Sequence, residues 1–126
     1  MSNNDSIVRF DDLVGCVIAR ITGCRAESER VEITLSNGRK FALQHQQQCC
    51  EDVSVEDVCG DPEILLWSPV VLAHESSSEV NDQHRDVSET WTFYRIGTVR
   101  GTVVIRWYGT SNGYYSEAVD FQEVPQ

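Results

Sequence analysis

The chain has 126 residues, of which 40% are hydrophobic, and this length fits one domain, which we expect to span residues 1–126. Its 20 acidic and 10 basic residues give a net charge of −10, which argues against binding to DNA, RNA or anionic membranes. No window approaches the roughly 18 consecutive apolar residues of a membrane span, and no basic and then apolar leader follows Met1. We therefore expect a cytoplasmic protein.

The N-terminal part of the chain predicts a short helical turn over residues 10–15 and a strand over 17–22. Residues 30–35 alternate apolar and polar side chains, which is typical of a half-buried strand. Asn37-Gly38 follows, and Asn-Gly favours a tight hairpin turn because both residues tolerate positive φ. The predicted return strand covers residues 39–45.

The middle of the chain has no clean period. It predicts a short strand at residues 53–55 and a helical turn at 62–66 with Asp61 as its N-cap. A buried short strand is expected at residues 69–73. The following segment is polar and serine-rich, so we expect a flexible loop over about residues 76–88.

The C-terminal third predicts strands over residues 90–96, 102–108 and 114–124, joined by turns at 98–101 and 109–113. Three strands joined by short turns form an antiparallel meander. The predicted fold class is therefore mostly β, a β-rich α+β arrangement with an antiparallel sheet or meander and one or two short helical turns.

The five cysteines lack paired spacing, and we expect reduced thiols without a disulfide framework. Four side chains are weak candidates for a zinc site, because zinc prefers thiolate and imidazole ligands: His45, Cys49, Cys50 and Cys59. Adjacent cysteines on a strand point to opposite faces, which argues against this site. We expect no metal and no cofactor.

Aromatic and arginine side chains are concentrated near the C-terminus, where six of the seven Trp and Tyr residues lie within 25 positions. Alternation puts Arg106 and Tyr108 on one face of a strand and Trp107 on the other. Rings stack on bases, and guanidinium groups bind phosphate. The alternative is that the rings, above all Trp91, Phe93 and Trp107, only pack the core. The candidate ligand-binding residues are Arg106, Tyr108, Asn112, Tyr114, Arg95, Trp107, His84 and Arg85.

Two motifs carry a resemblance to a known group of proteins. They are H-x3-C-C-E, which begins at His45, and W-Y-G-x-S-N-G-Y-Y-S, which spans residues 107–116. With these motifs the chain, over about residues 10–124, resembles a small uncharacterised protein family of tailed phages and prophages. The resemblance implies a viral origin and assigns no activity and no residue roles.

The chain shows no nucleophile elbow, P-loop, zinc-protease or dinucleotide-binding motif, so we expect a non-enzymatic protein. The first hypothesis is an accessory protein that binds a small anionic ligand, such as a cyclic-nucleotide-type immune signal, to counter host defence. Such pockets often form between subunits, so a homo-oligomer is part of this hypothesis. The alternatives are an acidic inhibitor or decoy docking on a basic host protein through acids such as Glu51, Asp52, Glu56 and Asp57, and a virion or structural component.

Overall fold

The computed structural model describes residues 7–82, 87–113 and 115–125, with the backbone alone for residues 81 and 82. The described residues form two four-stranded antiparallel sheets and two 3-10 turns, which confirms the mostly β prediction. One sheet has the strand order β1-β2-β3-β8 and the other the order β4-β7-β6-β5. The strands are β1 Ile18–Thr22, β2 Arg30–Leu35, β3 Lys40–Gln44, β4 Asp52–Cys59, β5 Leu72–Asp82, β6 Val87–Thr98, β7 Gly101–Ser111 and β8 Asp120–Val124; the turns are Phe10–Leu13 and Pro62–Leu65.

The first sheet is built around the predicted hairpin of β2 and β3. Gly38 has a φ of 93° and donates its amide to the Leu35 carbonyl at 2.9 Å, as a tight turn requires. The alternating side chains of β2 bury one face and leave the other partly exposed. The 3-10 turn at Pro62–Leu65 also follows the prediction, since the Asp61 carboxylate accepts the Glu63 amide at 3.0 Å.

The second sheet contains the β6–β7 hairpin, which pairs continuously from Ser88–Ser111 to Thr98–Gly101. The predicted meander is wrong beyond this hairpin. After the Asn112-Gly113 turn the chain crosses to the first sheet, where β8 pairs with β3. There the Phe121 ring stacks on Phe41 with 5.1 Å between ring centroids, so aromatic packing with the first sheet holds the last strand.

The predicted loop over about residues 76–88 is also wrong where the structure describes it. Residues 76–82 belong to β5 and residues 87–88 to β6, and the two strands pair from Leu72–Gly97 to Asp82–Val87. The side chains of residues 74–80 are all exposed, so neither side of the strand requires apolar residues. The segment therefore lacks the hydrophobic alternation by which a strand is predicted. Likewise, only the last two residues of the predicted strand at 69–73 lie in β5. Residues 83–86 lie outside the described part.

The two sheets bury one continuous cluster of apolar side chains between them. Phe10 from the first 3-10 turn contacts Tyr94 edge to face, with 4.8 Å between ring centroids, and Leu65 from the second turn is fully buried. Trp107 lies at 0% exposure in this core. Among the described residues, no helix is long and apolar enough to cross a membrane.

Candidate functional site

The hairpin of β6 and β7 gathers rings and guanidinium groups on the side of the second sheet that faces away from the core. Tyr108 lies opposite Trp91, and Arg106 lies opposite Phe93. Their neighbours Thr92, Tyr94 and Trp107 are buried, and successive side chains of a strand point to opposite sides. We call the set Trp91, Phe93, Arg95, Arg106 and Tyr108 the aromatic–arginine face.

Trp91 is at the centre of the contacts on this face. Its ring packs against Tyr108 with 4.5 Å between centroids and an interplanar angle of 48°. The Arg106 guanidinium carbon lies 5.8 Å from the centre of the Trp91 ring, within the range of a cation–π contact. All three side chains remain partly exposed. The three side chains therefore hold one another in place on the solvent side of the sheet.

Two carboxylates of strand β4 compensate the positive charge of Arg106. A register shift between Val55 and Asp57 interrupts the β4–β7 ladder beside Arg106. The Arg106 Nη2 atom lies 2.6 Å from Glu56 Oε1 and 3.7 Å from Asp57 Oδ2. An anionic ligand would have to compete with both carboxylates for this guanidinium. The charge of Arg106 is therefore partly compensated within the chain, which the sequence-based hypothesis of a phosphate anchor did not take into account.

Two further groups set the charge of the face. The Tyr108 hydroxyl donates to the Glu89 carboxylate, and this hydrogen bond raises the pKa of Tyr108, so the hydroxyl stays protonated. Arg95 is exposed and makes no side-chain hydrogen bond or ion pair with any described residue. It lies between Val104 on β7 and His74 on β5. Arg95 is thus a cation of this face without a carboxylate partner in the described part of the chain.

The structure brings together some of the predicted ligand-binding residues and separates others. Arg106, Tyr108 and Arg95 share the aromatic–arginine face, whereas Asn112 is exposed in the turn after β7. Trp107 was predicted to stack on a ligand, and this is wrong, because the whole side chain is buried among Val103, Ile105 and the rest of the core. Three other predicted residues lie outside the described part: Tyr114, His84 and Arg85.

The predicted hollow beside Arg106 and Tyr108 has no counterpart among four cavities found between described residues. These cavities have volumes of about 550, 370, 500 and 500 Å³, and no residue of the aromatic–arginine face lines them. Small ligands prefer concave sites. The face is instead one side of an open sheet, a shape better suited to a macromolecular partner.

His45, one of the four predicted metal candidates, takes part in a buried hydrogen-bond network just after the end of β3. Both ring nitrogens of His45 face acceptors, with Nδ1 2.7 Å from the Ala118 carbonyl and Nε2 2.8 Å from the Glu51 carboxylate. Glu51 also accepts the backbone amides of Gln48 and Cys49 at 2.7 and 2.9 Å. Burial raises the pKa of Glu51, but these hydrogen bonds outweigh it and hold the pKa at about 2. The buried pair ties the 46–50 loop to the sheet.

The cysteines do not form a metal site in the described part of the chain, where no group of three or more metal-ligating side chains is found. Cys49 and Cys50 are joined by a disulfide, so the prediction of five free thiols is wrong for these two. Cys59 ends β4, and a rise of about 3.3 Å per residue places it roughly 23 Å from Asp52 at the start of that strand. Free thiols remain at Cys16, Cys24 and Cys59.

Trp91 and Phe93 are the two residues of the face that the predicted ligand set omitted. A two-residue turn at Val99 and Arg100 fixes the pairing of the β6–β7 hairpin, and this pairing sets Trp91 opposite Tyr108. The predicted turn and the alternation of the strands were therefore a sufficient signal.

The chain belongs to the family described as a domain of unknown function (DUF7448), whose family model matches residues 11–121. No curated protein and no solved structure matches the chain.

Proposed function

We propose that this chain is a non-enzymatic binding protein that docks on another protein through the aromatic–arginine face. The observation that carries the proposal is the position of Trp91, which is partly exposed between Arg106 and Tyr108 on the open side of a sheet. Trp, Tyr and Arg are the residue types that contribute most to protein interfaces. Because these three side chains already contact one another, little side-chain entropy is lost when a partner binds.

The charges around the face indicate a basic partner. Glu56, Asp57 and Glu89 lie beside the rings, and the whole chain carries a net charge of −10. Complementary charge speeds association and excludes wrong partners. With the phage resemblance, the proposed role is an acidic inhibitor or decoy that acts on a basic host protein in the cytoplasm.

Affinity capture with matched variants tests this proposal. The immobilised wild-type chain, Trp91→Ser and Trp67→Ser are compared in cell extract, and each retained protein is purified and titrated against all three. Trp67 is a suitable control because it is 67% exposed and lies outside the face. We expect Trp91→Ser to weaken binding about 30-fold, as for an interface hot spot, and Trp67→Ser to leave it unchanged. Retention of no protein, or equal binding by both variants, would refute the proposal.

A second candidate function is the binding of a planar anionic ligand, such as a nucleotide signal of host defence. Arg95 favours it, because this exposed guanidinium has no acidic partner among the described residues and lies on the same side as Phe93 and Trp91. A phosphate would bind Arg95 and His74, and a base would stack on a ring. Two copies that face each other across this sheet would supply the hollow that one chain lacks.

Titration with ADP and with cyclic AMP separates the two functions. Ligand binding predicts that Arg95→Gln abolishes the change in tryptophan fluorescence on titration, while Glu56→Gln leaves it intact. Protein docking predicts no response to either nucleotide.

A further inference from the structure

Strand β5 has a free edge on the side away from β6. It is the last strand of its sheet, and residues 74–78 make no backbone hydrogen bond on that side to any described residue. An unpaired edge presents a row of amide and carbonyl groups that can pair with another strand. We call this side of residues 74–78 the β5 edge.

The β5 edge is long and regular. The strand has 11 residues, against the five or six of an average strand, and it pairs with β6 without a bulge. The first 3-10 turn packs against β5, yet residues 74–80 all remain exposed. No proline protects the edge, and Ser76, Ser77 and Ser78 give it small side chains that allow close approach.

An acidic cleft runs along the inner side of the β5 edge. Two of the cavities, of about 550 and 370 Å³, share Glu75, Ser77 and Val119 in their walls and are therefore adjacent. Arg9 lines the first cavity as well. Partial desolvation in the cleft raises the pKa of the otherwise exposed Glu75, and the charges of Asp11 and Asp120 raise it further, as expected where carboxylates crowd together. The carboxylates of the cleft are Asp11, Glu75, Glu79, Glu117 and Asp120.

These charges decide which kind of strand fits the edge. Antiparallel pairing with β5 of a second copy would bring Glu75 and Glu79 of both chains to one seam, and like charges across a pair of strands are destabilising. A strand with cationic side chains would neutralise the same carboxylates. Every second side chain of an added strand points to the same side of the sheet, here into the cleft.

We propose that the β5 edge binds an extended segment of a partner protein that carries Lys or Arg at every second position and adds to the sheet as a further strand. Main-chain hydrogen bonds would hold the segment, and the acidic cleft would select its cationic side chains. The inference deepens the proposed docking function, since it names a segment of the basic partner, but it uses residues that lie outside the aromatic–arginine face.

A synthetic peptide of about nine residues that alternates lysine with threonine is the probe. Nuclear magnetic resonance titration of the labelled full chain should show the largest amide shifts at residues 74–80. Replacing the lysines of the peptide by glutamate should weaken its binding at least about tenfold. The double variant Glu75→Gln with Glu79→Gln should bind the lysine peptide more weakly than the wild-type chain does. Equal binding of the lysine and glutamate peptides, or shifts that avoid β5, would overturn the inference.

Two N-methylated peptides test strand pairing without changing charge. Only alternate residues of an added strand turn their N–H groups towards β5. Methylation of one alternate set should therefore abolish binding, and methylation of the other set should be tolerated. Equal effects of the two sets would overturn strand addition.

The Trp91→Ser chain separates this inference from the proposed function. We expect this variant to bind the lysine peptide like the wild type, because Trp91 lies on the outer side of the sheet. If Trp91→Ser no longer binds the lysine peptide, the inference that the edge is a separate site is overturned. If the edge binds the peptide while Trp91→Ser and Trp67→Ser capture partners equally, only the proposal that the aromatic–arginine face is the docking surface is refuted.

Discussion

Replacement of Trp107 by phenylalanine tests the finding that this residue belongs to the core. The side chain is 0% exposed, and its Nε1 atom has no hydrogen-bond partner among the described residues. Trp107 lies between Val55 of β4 and Thr92 of β6 in the sheet. Two effects of opposite sign follow from the substitution.

The magnitudes of these effects nearly cancel. Phenylalanine is smaller by roughly 40 Å³, which costs about 1 kcal/mol as a cavity and about 1 kcal/mol in lost apolar burial. Removal of a buried N–H group that has no partner raises the free energy of unfolding by about 1–3 kcal/mol. We therefore expect the free energy of unfolding of Trp107→Phe to stay within about 1 kcal/mol of the wild type, whereas Trp107→Ala should lose about 3–5 kcal/mol.

Urea unfolding followed by far-ultraviolet circular dichroism measures both variants, since this signal does not depend on the tryptophan that is removed. A loss of about 3 kcal/mol or more in Trp107→Phe would refute the reasoning, because it would mean that the indole N–H makes a hydrogen bond that stabilises the fold. A negligible loss in Trp107→Ala would refute the burial itself.

Two further substitutions test other parts of the structure. The folded-state pKa of Glu51 lies near 2, below its ordinary value of 4.5, so its contribution to stability is complete above pH 4.5 and is lost as the pH falls towards 2. Glu51→Gln should therefore be less stable than the wild type at pH 7 and should lose less stability on acidification, as measured by urea unfolding at pH 7, 4.5 and 2.5; parallel pH profiles would contradict this. In Gly109→Ala, the new Cβ would lie 2.9 Å from Val53 Cγ2 and 3.0 Å from Glu117 Cβ, so we expect a loss of about 1–3 kcal/mol in urea unfolding, while Thr110→Ala on the opposite side should change little. An unchanged stability of Gly109→Ala would show that Val53 and Glu117 move aside freely.

The two hairpins could be predicted from the sequence because local signals fix them. In β2–β3 and in β6–β7, buried and more exposed side chains alternate along each strand, and a tight turn sets the pairing. The same period of two predicted that Arg106 and Tyr108 share a side. The same alternation places Trp107 on one side of the strand with Val103 and Ile105, and a side with three apolar residues indicates the core.

The remaining features depend on contacts between distant parts of the chain. Strand β5 is held by its pairing with β6, and its exposed side chains give no hydrophobic period. Strand β8 has five residues and pairs with β3, about 80 positions earlier, so no local signal specifies its sheet. The ion pair between Arg106 and Glu56 depends on an irregularity in β4 that alternation alone does not indicate.

The three tryptophans provide the most direct test of the aromatic–arginine face as the docking surface. Each carries one indole N–H group, and they lie on the face at Trp91, in the core at Trp107 and elsewhere on the surface at Trp67. The ¹⁵N-labelled chain is titrated with a partner protein recovered by the capture experiment. We predict that the Trp91 indole signal shifts and becomes protected from solvent exchange, while the signals of Trp67 and Trp107 stay in place. A bound complex in which the Trp91 signal is unchanged would contradict the proposed docking surface.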